Sequence, residues 1–236
     1  MWSVVHILRV RNFVYGSEYV MRIGIDSRPF QGQWAGTGRY VVELCRALDV
    51  WLPAAEFIVY GNRPFVLPFS SDRWKKVAND ATFLEHMPPA IWYAERVGYL
   101  AARDSIDIFW GGANFLPRSL PSQCRSIITI HDLVGVLMPS TLSFNHQMYY
   151  RAYFKLGVSK ATAVVTNSVG TADRLRGYFG RQTNAVVYPC AGKIFKPSTV
   201  DQIRKVRDRY GLQSNFLLTV ATLEPRKNLD NLIKAM

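Results

Sequence analysis

The sequence has no apolar run approaching the roughly 18 residues that a membrane-spanning helix needs, which excludes a helical transmembrane class for the 236 residues at hand. Cysteine is scarce. Cys45, Cys124 and Cys190 are odd in number and far apart, which suits neither a disulfide framework nor a zinc site and reads as three reduced thiols of a cytosolic protein. The remaining histidines beside His131, namely His6, His86 and His146, show no metal-ligand spacing. Acidic residues are in short supply: 17 Asp+Glu stand against 29 Lys+Arg, a formal charge of +12 that asks for an anionic partner. The basic residues are scattered, and no zinc-finger or RNP-type motif accompanies them, which argues against nucleic acid. An anionic membrane surface, an anionic substrate or a plainly solvated surface explains the charge equally well. With 49% hydrophobic and 19% charged residues the chain is globular rather than disordered or fibrous.

What is present is a repeating strand–helix pattern. Arg22–Ser27 is a short apolar strand, and from Gly38 the residues Val41, Leu44, Cys45 and Leu48 recur at helical spacing until Pro53. Strands are expected at Glu56–Gly61, Ala81–Met87, Ile106–Trp110, Ser126–Ile130, Thr162–Thr166 and Asn184–Tyr188. Helices are expected after Pro88-Pro89, over about Ser143–Lys160, and from an N-cap at Ser168 to Phe179. Strands alternating with helices of this length indicate βαβ units, hence a doubly wound, mainly parallel Rossmann-like α/β sheet with helices on both faces. Ligands of such sheets bind beyond the carboxyl ends of the strands, so residues at strand exits carry most weight.

Three exits carry chemistry. Gly32-Gln-Trp-Ala-Gly36-Thr37-Gly38-Arg39-Tyr40 joins the first strand to the first helix. Glycines let a backbone approach a ligand closely, and the helix N-terminus points partial positive charge at it. The loop fails as a dinucleotide fingerprint, because the third glycine and the ribose-binding acid are missing, and as a P-loop, because no Gly-Lys-Ser/Thr follows. A flexible glycine loop is the plain alternative. Ile130-His131-Asp132-Leu133 delivers a histidine and a carboxylate from an apolar strand, with Asp132 able to orient the imidazole or cap the next segment. Trp110-Gly111-Gly112-Ala113-Asn114 offers small residues that either leave room for a ligand or make a tight turn.

The final stretch, Val220 to Leu229, begins another unit. An apolar strand (Phe216–Ala221) turns through Pro225 and presents Arg226 and Lys227 at the mouth of a helix capped by Asn228. Cations beside unpaired helix-terminal N–H groups form a site for a phosphate or pyrophosphate. Leu229, Leu232, Ile233 and Met236 give that helix an apolar stripe that needs a sheet to cover.

Met21-Arg-Ile-Gly-Ile-Asp26, Gly36-Thr-Gly38-Arg39-Tyr40, Ile130-His131-Asp132-Leu133, Val187-Tyr-Pro189 and Leu223-Glu-Pro-Arg-Lys-Asn228 occur in that order. Together they resemble the family 4 retaining glycosyltransferases, whose GT-B architecture faces two Rossmann-like domains across a cleft. The absence of any Asp-x-Asp triplet agrees, since metal-dependent single-domain glycosyltransferases use one. The resemblance implies an acceptor-side domain over residues 21–195, a linker and helix over 196–215, and over 216–236 the truncated start of a donor domain. Residues 1–20 precede the family's usual start; Arg9 and Arg11 interrupt their apolar residues, so they lack a signal-peptide h-region and read as an upstream extension rather than a basic membrane anchor.

By the same resemblance Gly36, Thr37 and Gly38 approach the donor diphosphate and reactive sugar. His131 lies against the donor sugar as the catalytic-site histidine, and Lys227 neutralises the diphosphate leaving group. Arg226 substitutes for an arginine that many members carry after a strand-ending glycine, where this chain has Ala221-Thr222. The implied partners are a nucleotide sugar and a saccharide or lipid-linked acceptor, with no metal or other cofactor, at a cytoplasmic location peripheral to the inner face of a membrane. The family's paired glutamates that grip the donor ribose and sugar have no counterpart in this sequence. The 236 residues alone are therefore expected to bind a nucleotide sugar weakly and not to turn it over. The alternative is a non-catalytic binding module of the same fold.

Overall fold

The computed structural model describes residues 20–32, 34, 36–77, 86–192, 195–212 and 215–236, the side chain of Arg226 excepted. Residues 1–19 of the extension and most of the strand expected at Ala81–Met87 lie outside the described residues. The chain divides into two units, the first ending at Cys190 and the second beginning at Ala191.

Among the described residues the first unit forms one seven-stranded sheet in which every pairing is parallel. Its strands are β1 (Arg22–Asp26), β2 (Glu56–Tyr60), β3 (Trp74–Val77), β4 (Ile108–Gly111), β5 (Arg125–Ile130), β6 (Ala163–Thr166) and β7 (Ala185–Val186), in spatial order 3-2-1-4-5-6-7. Each crossover returns over the sheet through α1 (Gly36–Trp51), α2 (Pro89–Arg103) or the helices between β5 and β7, except the helix-free β2–β3 and β4–β5 connections. The doubly wound Rossmann-like α/β class expected from the pattern is the class observed.

Alternation of side chains along the strands splits the core in two. Phe57 and Val59 join Ile23, Ile25 and Ile108 against Val41 and Cys45 of α1. Ile58 and Tyr60 point the other way and join Phe109, Ile128 and Ile130 against Trp92, Tyr93 and Val97 of α2. The interior strand β1 is buried on both faces, and a Cβ on Gly24 would meet the Phe109 ring at 2.7 Å, so glycine is what lets that ring cross its neighbour. At the edge, β3 turns Trp74 inward and Lys75 and Lys76 outward; lysines on an edge strand discourage pairing with another chain.

The helix expected over Ser143–Lys160 is observed, widened midway by a π-helical turn. It runs as α4 (Phe144–Tyr149), a π-helical turn (Tyr150–Phe154) and α5 (Lys155–Lys160), with the short α3 (Val134–Leu137) before it. After β6, Ser168 caps α6 (Val169–Phe179) as expected, its side chain accepting from the Thr171 N–H at 3.2 Å.

The second unit, taken by itself, contains α7 (Val200–Tyr210), a 3-10 turn (Pro225–Lys227) and α8 (Leu229–Lys234). A reciprocal Thr199–Gln202 capping box starts α7 and Gly211, at φ +63°, ends it. Two expectations fail here. Phe216–Ala221 is not a strand, because no described segment pairs with it, and a strand's N–H and C=O groups need a neighbouring ladder. Asn228 occupies the N-cap of α8 but its side chain makes no capping hydrogen bond, since its backbone is left-handed at φ +54°. Leu217, Leu218, Val220 and Leu223 are accordingly exposed.

Candidate functional site

The strand order reverses between β1 and β4, and their carboxyl ends frame the crevice where open α/β sheets take ligands. The loops leaving β1, β4 and β5 meet there. From the β1 side comes the first turn of α1, with Gly36 and Thr37 exposed and Gly38 buried. No acidic residue occupies that turn, so the partial positive charge of a 16-residue helix is unopposed at its start. The two glycines differ in kind. A Cβ on Gly38 would stand 2.7 Å from the Pro29 carbonyl oxygen, whereas one on Gly36 would meet nothing within 4 Å. Gly38 is required by packing; Gly36 leaves open space at the helix mouth.

His131 reaches the same place from β5. Its ring stands edge-on to Tyr40 of α1, 4.9 Å between centroids, which puts it beside the turn that holds Gly36, Thr37 and Gly38. Its position is fixed from four directions. The His131 N–H donates to Asn114 Oδ1 at 2.7 Å, its carbonyl accepts from Thr171 Oγ1 at 3.1 Å, and Nε2 donates to the Gly112 carbonyl at 2.8 Å. Tyr40, which backs the ring, is itself held by a bond from its hydroxyl to the Val187 carbonyl at 3.0 Å. Because a carbonyl can only accept, the proton sits on Nε2 and Nδ1 is the acceptor. Nδ1 has no hydrogen-bond partner among the described residues. Burial lowers the pKa against the weaker opposing pulls of the Gly112 carbonyl and Asp132, so the ring is neutral at pH 7.

Asp132 does not orient the imidazole. It is exposed, and its Oδ1 accepts from the Val134 N–H at 3.1 Å, at the start of α3. The glycine turn after β4 resolves as tight packing rather than ligand space. A Cβ on Gly111 would fall 2.1 Å from the Phe115 oxygen, and one on Gly112 would fall 2.9 Å from Val41 of α1.

Sequence reasoning missed three contributors. Asn114 adopts φ +66° and bridges two loops, its Oδ1 taking the His131 N–H and its Nδ2 donating to the Tyr150 hydroxyl at 3.2 Å. Arg28 follows β1 directly and pairs with the buried Asp26, 2.7 Å from Nη2 to Oδ2, while its guanidinium stacks 3.9 Å over the Tyr93 ring. Burial opposes the Arg28 charge most strongly, but Asp26, Tyr149 and Tyr93 together outweigh it and the group is held protonated. Tyr149, whose hydroxyl accepts from Arg28 at 3.4 Å, is pushed up to about 12, chiefly by burial. The signals were there: an Asp-x-Arg at a strand exit and the aromatic run from Tyr149 to Phe154.

An open cleft of about 1030 Å³ adjoins this constellation, with Arg28, Thr37 and Gly38 on one side and Ile91, Met148 and Tyr153 among its walls. The walls are mostly apolar, with a few polar groups converging on them, the usual character of a small-molecule site. Among the described residues no three His, Cys, Asp or Glu side chains cluster as metal ligands.

Lys227 belongs to the second unit, in the 3-10 turn before α8; its side chain is exposed and makes no ion pair among the described residues. The expectation for Arg226 falls on a side chain outside the described residues. The thiols of Cys45 and Cys124 are buried and that of Cys190 is exposed, and all three are free.

No family model matches the chain. Over a 231-residue alignment covering 91% of it, the chain is 24% identical to the O-antigen chain mannosyltransferase B of Escherichia coli. It spans 59% of that protein's length. The chain is thus similar, at a distance, to a glycosyltransferase, and its sheet is Rossmann-like.

Proposed function

We propose that this chain carries the acceptor-side half of a retaining GT-B glycosyltransferase of the family 4 kind. It serves transfer of a sugar from a nucleotide donor to a saccharide or lipid-linked acceptor, without a metal. The observation that carries the reading is the meeting of the α1 mouth and a neutral, firmly held His131 at the switch point, with the cleft beside them. The similarity to a mannosyltransferase supports it.

In this reading the open space over Gly36 admits the donor's diphosphate end, and the N–H groups of the first turn of α1 face the charge that grows on it. The Nδ1 atom of His131 accepts a hydrogen bond from a hydroxyl of the transferred sugar, which a neutral ring does and an imidazolium cannot. The acceptor occupies the cleft. As the bond from the sugar's anomeric carbon to the phosphate oxygen breaks, a bond to the acceptor oxygen forms on the same face, and the acceptor's proton leaves with the diphosphate. Lys227 and Arg226 supply the positive charge that this reading assigns to the leaving diphosphate.

The test follows the His131 imidazole by NMR while nucleotide sugars are titrated into the chain, beside a radiolabelled-donor transfer assay on the chain extended by a nucleotide-sugar-binding domain. Shifted His131 resonances and transfer abolished by His131→Ala are expected. An unmoved imidazole at millimolar donor, with no transfer by the extended chain, refutes the reading.

A further inference from the structure

A π-helical turn carries one residue more than the α-helix around it and recurs at functional sites. In this chain it stands between the cleft and His131. Tyr149, Ala152 and Tyr153 line the cleft, while Tyr150, the first residue of the turn, is buried. The Tyr150 hydroxyl accepts from Asn114 Nδ2 at 3.2 Å and donates to the Asp132 carbonyl at 3.5 Å. Asn114 passes that hold on, its Oδ1 taking the His131 N–H at 2.7 Å. The two bonds agree in sense, because a primary amide with its donor end on Tyr150 turns its acceptor end to His131. The Tyr150 ring is closely confined. A Cβ on Gly135 of α3 would stand 2.3 Å from it, and the Phe115 and Phe154 rings lie at centroid distances of 5.1 and 4.7 Å. A phenylalanine would keep all of that packing; what the hydroxyl adds is a partner for the Asn114 carboxamide. The other end of this relay borders the cleft as well, since Ala113 and Phe115, which flank Asn114, both line it.

We propose that Tyr150 is a positioning residue that ties the setting of His131 to occupancy of the cleft. The turn is the element with two arrangements. Exchanging its i→i+5 bonds for α-helical ones would rotate Tyr150 by about 100° against the residues beyond the turn, taking its hydroxyl off Asn114. An occupant of the cleft touches Ala152 and Tyr153 of that same turn, so it shifts the balance to the extent that it binds one arrangement better. An acceptor that fits against the wide turn holds Tyr150 on Asn114, and the His131 ring is then set for the donor sugar when the acceptor is in place. That consequence rests on the glycosyltransferase reading; the linkage from turn to histidine does not.

The experiment records the backbone amide and the imidazole of His131 by NMR in the 236-residue chain, without donor. Tyr150→Phe should shift both and speed exchange of the His131 amide roughly three- to tenfold, the worth of one hydrogen bond. Tyr60→Phe removes another buried hydroxyl, the one bonded to Asp104 at 2.9 Å. It serves as the control for lost stability and should leave His131 as in the parent. Ala152→Trp places an indole in the cleft from an exposed position of the turn. It should move the His131 resonances in the parent and leave them in place in the Tyr150→Phe background. In the chain extended by a nucleotide-sugar-binding domain, Tyr150→Phe should lower kcat roughly tenfold or more, and Tyr60→Phe should not. His131 resonances unmoved by Tyr150→Phe, or moved equally by Tyr60→Phe, overturn the proposal. A response to Ala152→Trp that persists without the Tyr150 hydroxyl overturns it as well. Absence of transfer by the extended parent chain counts against the glycosyltransferase reading alone, because His131 is observed without donor.

Discussion

Substituting each glycine of the α1 mouth by alanine separates packing from ligand approach. At Gly38 the new methyl would stand 2.7 Å from the Pro29 carbonyl oxygen and 3.2 Å from Trp34 Cβ. The first contact is with backbone, so no rotamer change relieves it, and α1 must move away from the loop that follows β1. Overpacking of this kind costs about 1–3 kcal/mol, offset by about 0.5–1 kcal/mol from removing a glycine's excess freedom in a helix. Gly38→Ala should therefore lose about 1–2 kcal/mol net, read as roughly 2–4 °C per kcal/mol in a domain of this size. At Gly36 a methyl meets nothing within 4 Å. Gly36→Ala should melt at the parent temperature or slightly above, yet bind nucleotide sugar more weakly, because the methyl fills the space through which the ligand nears the helix N–H groups. Calorimetric melting and an NMR-detected donor titration of both variants decide the matter. Equal melting temperatures for the two variants would refute the packing argument. Undiminished donor binding by Gly36→Ala would refute the ligand approach.

His131 has a pKa below its ordinary 6.5 because of burial, so the unfolded chain binds its proton at a higher pH than the folded one. Its contribution is therefore complete above about pH 6.5 and is lost as pH falls through the folded pKa; His131→Gln should flatten the acid side of the stability profile measured in urea at several pH values. Asn114→Gly keeps the left-handed backbone but removes the bonds to His131 and Tyr150, and should cost about 1–3 kcal/mol in chemical denaturation, with the His131 ring resonances broadened or shifted. Arg28→Met leaves Asp26, which is 0% exposed, as an unpaired buried charge; a loss of about 3–5 kcal/mol is expected in urea unfolding, and Arg28→Met/Asp26→Leu should recover most of it.

The alternation of short apolar runs with helical spacing determined the fold class, because a strand buried on both faces must be continuously apolar and a crossover helix must show a stripe. Ile23–Ile25, Phe57–Tyr60, Ile128–Ile130 and Val164–Val165 announced themselves in that way. His131 was legible as a site candidate because an apolar strand ended in a polar, titratable residue. Trp74–Val77 was not legible as a strand, since an edge strand needs only one buried anchor and two exposed lysines leave no apolar run. Phe216–Ala221 erred in the opposite sense: its apolarity is local, whereas a strand exists only where another segment supplies the ladder. Only the tertiary structure decided which exits face one another. The reversal of strand order at β1/β4 brought Tyr40 to His131 and Gly112 to Val41, and the pairing of β4 with β5 brought Asn114 to both His131 and Tyr150. Those contacts set the imidazole's tautomer and charge, because desolvation and hydrogen-bond partners come from residues distant in the chain. A sequence records propensity along one dimension; which proton His131 carries depends on what surrounds it in three.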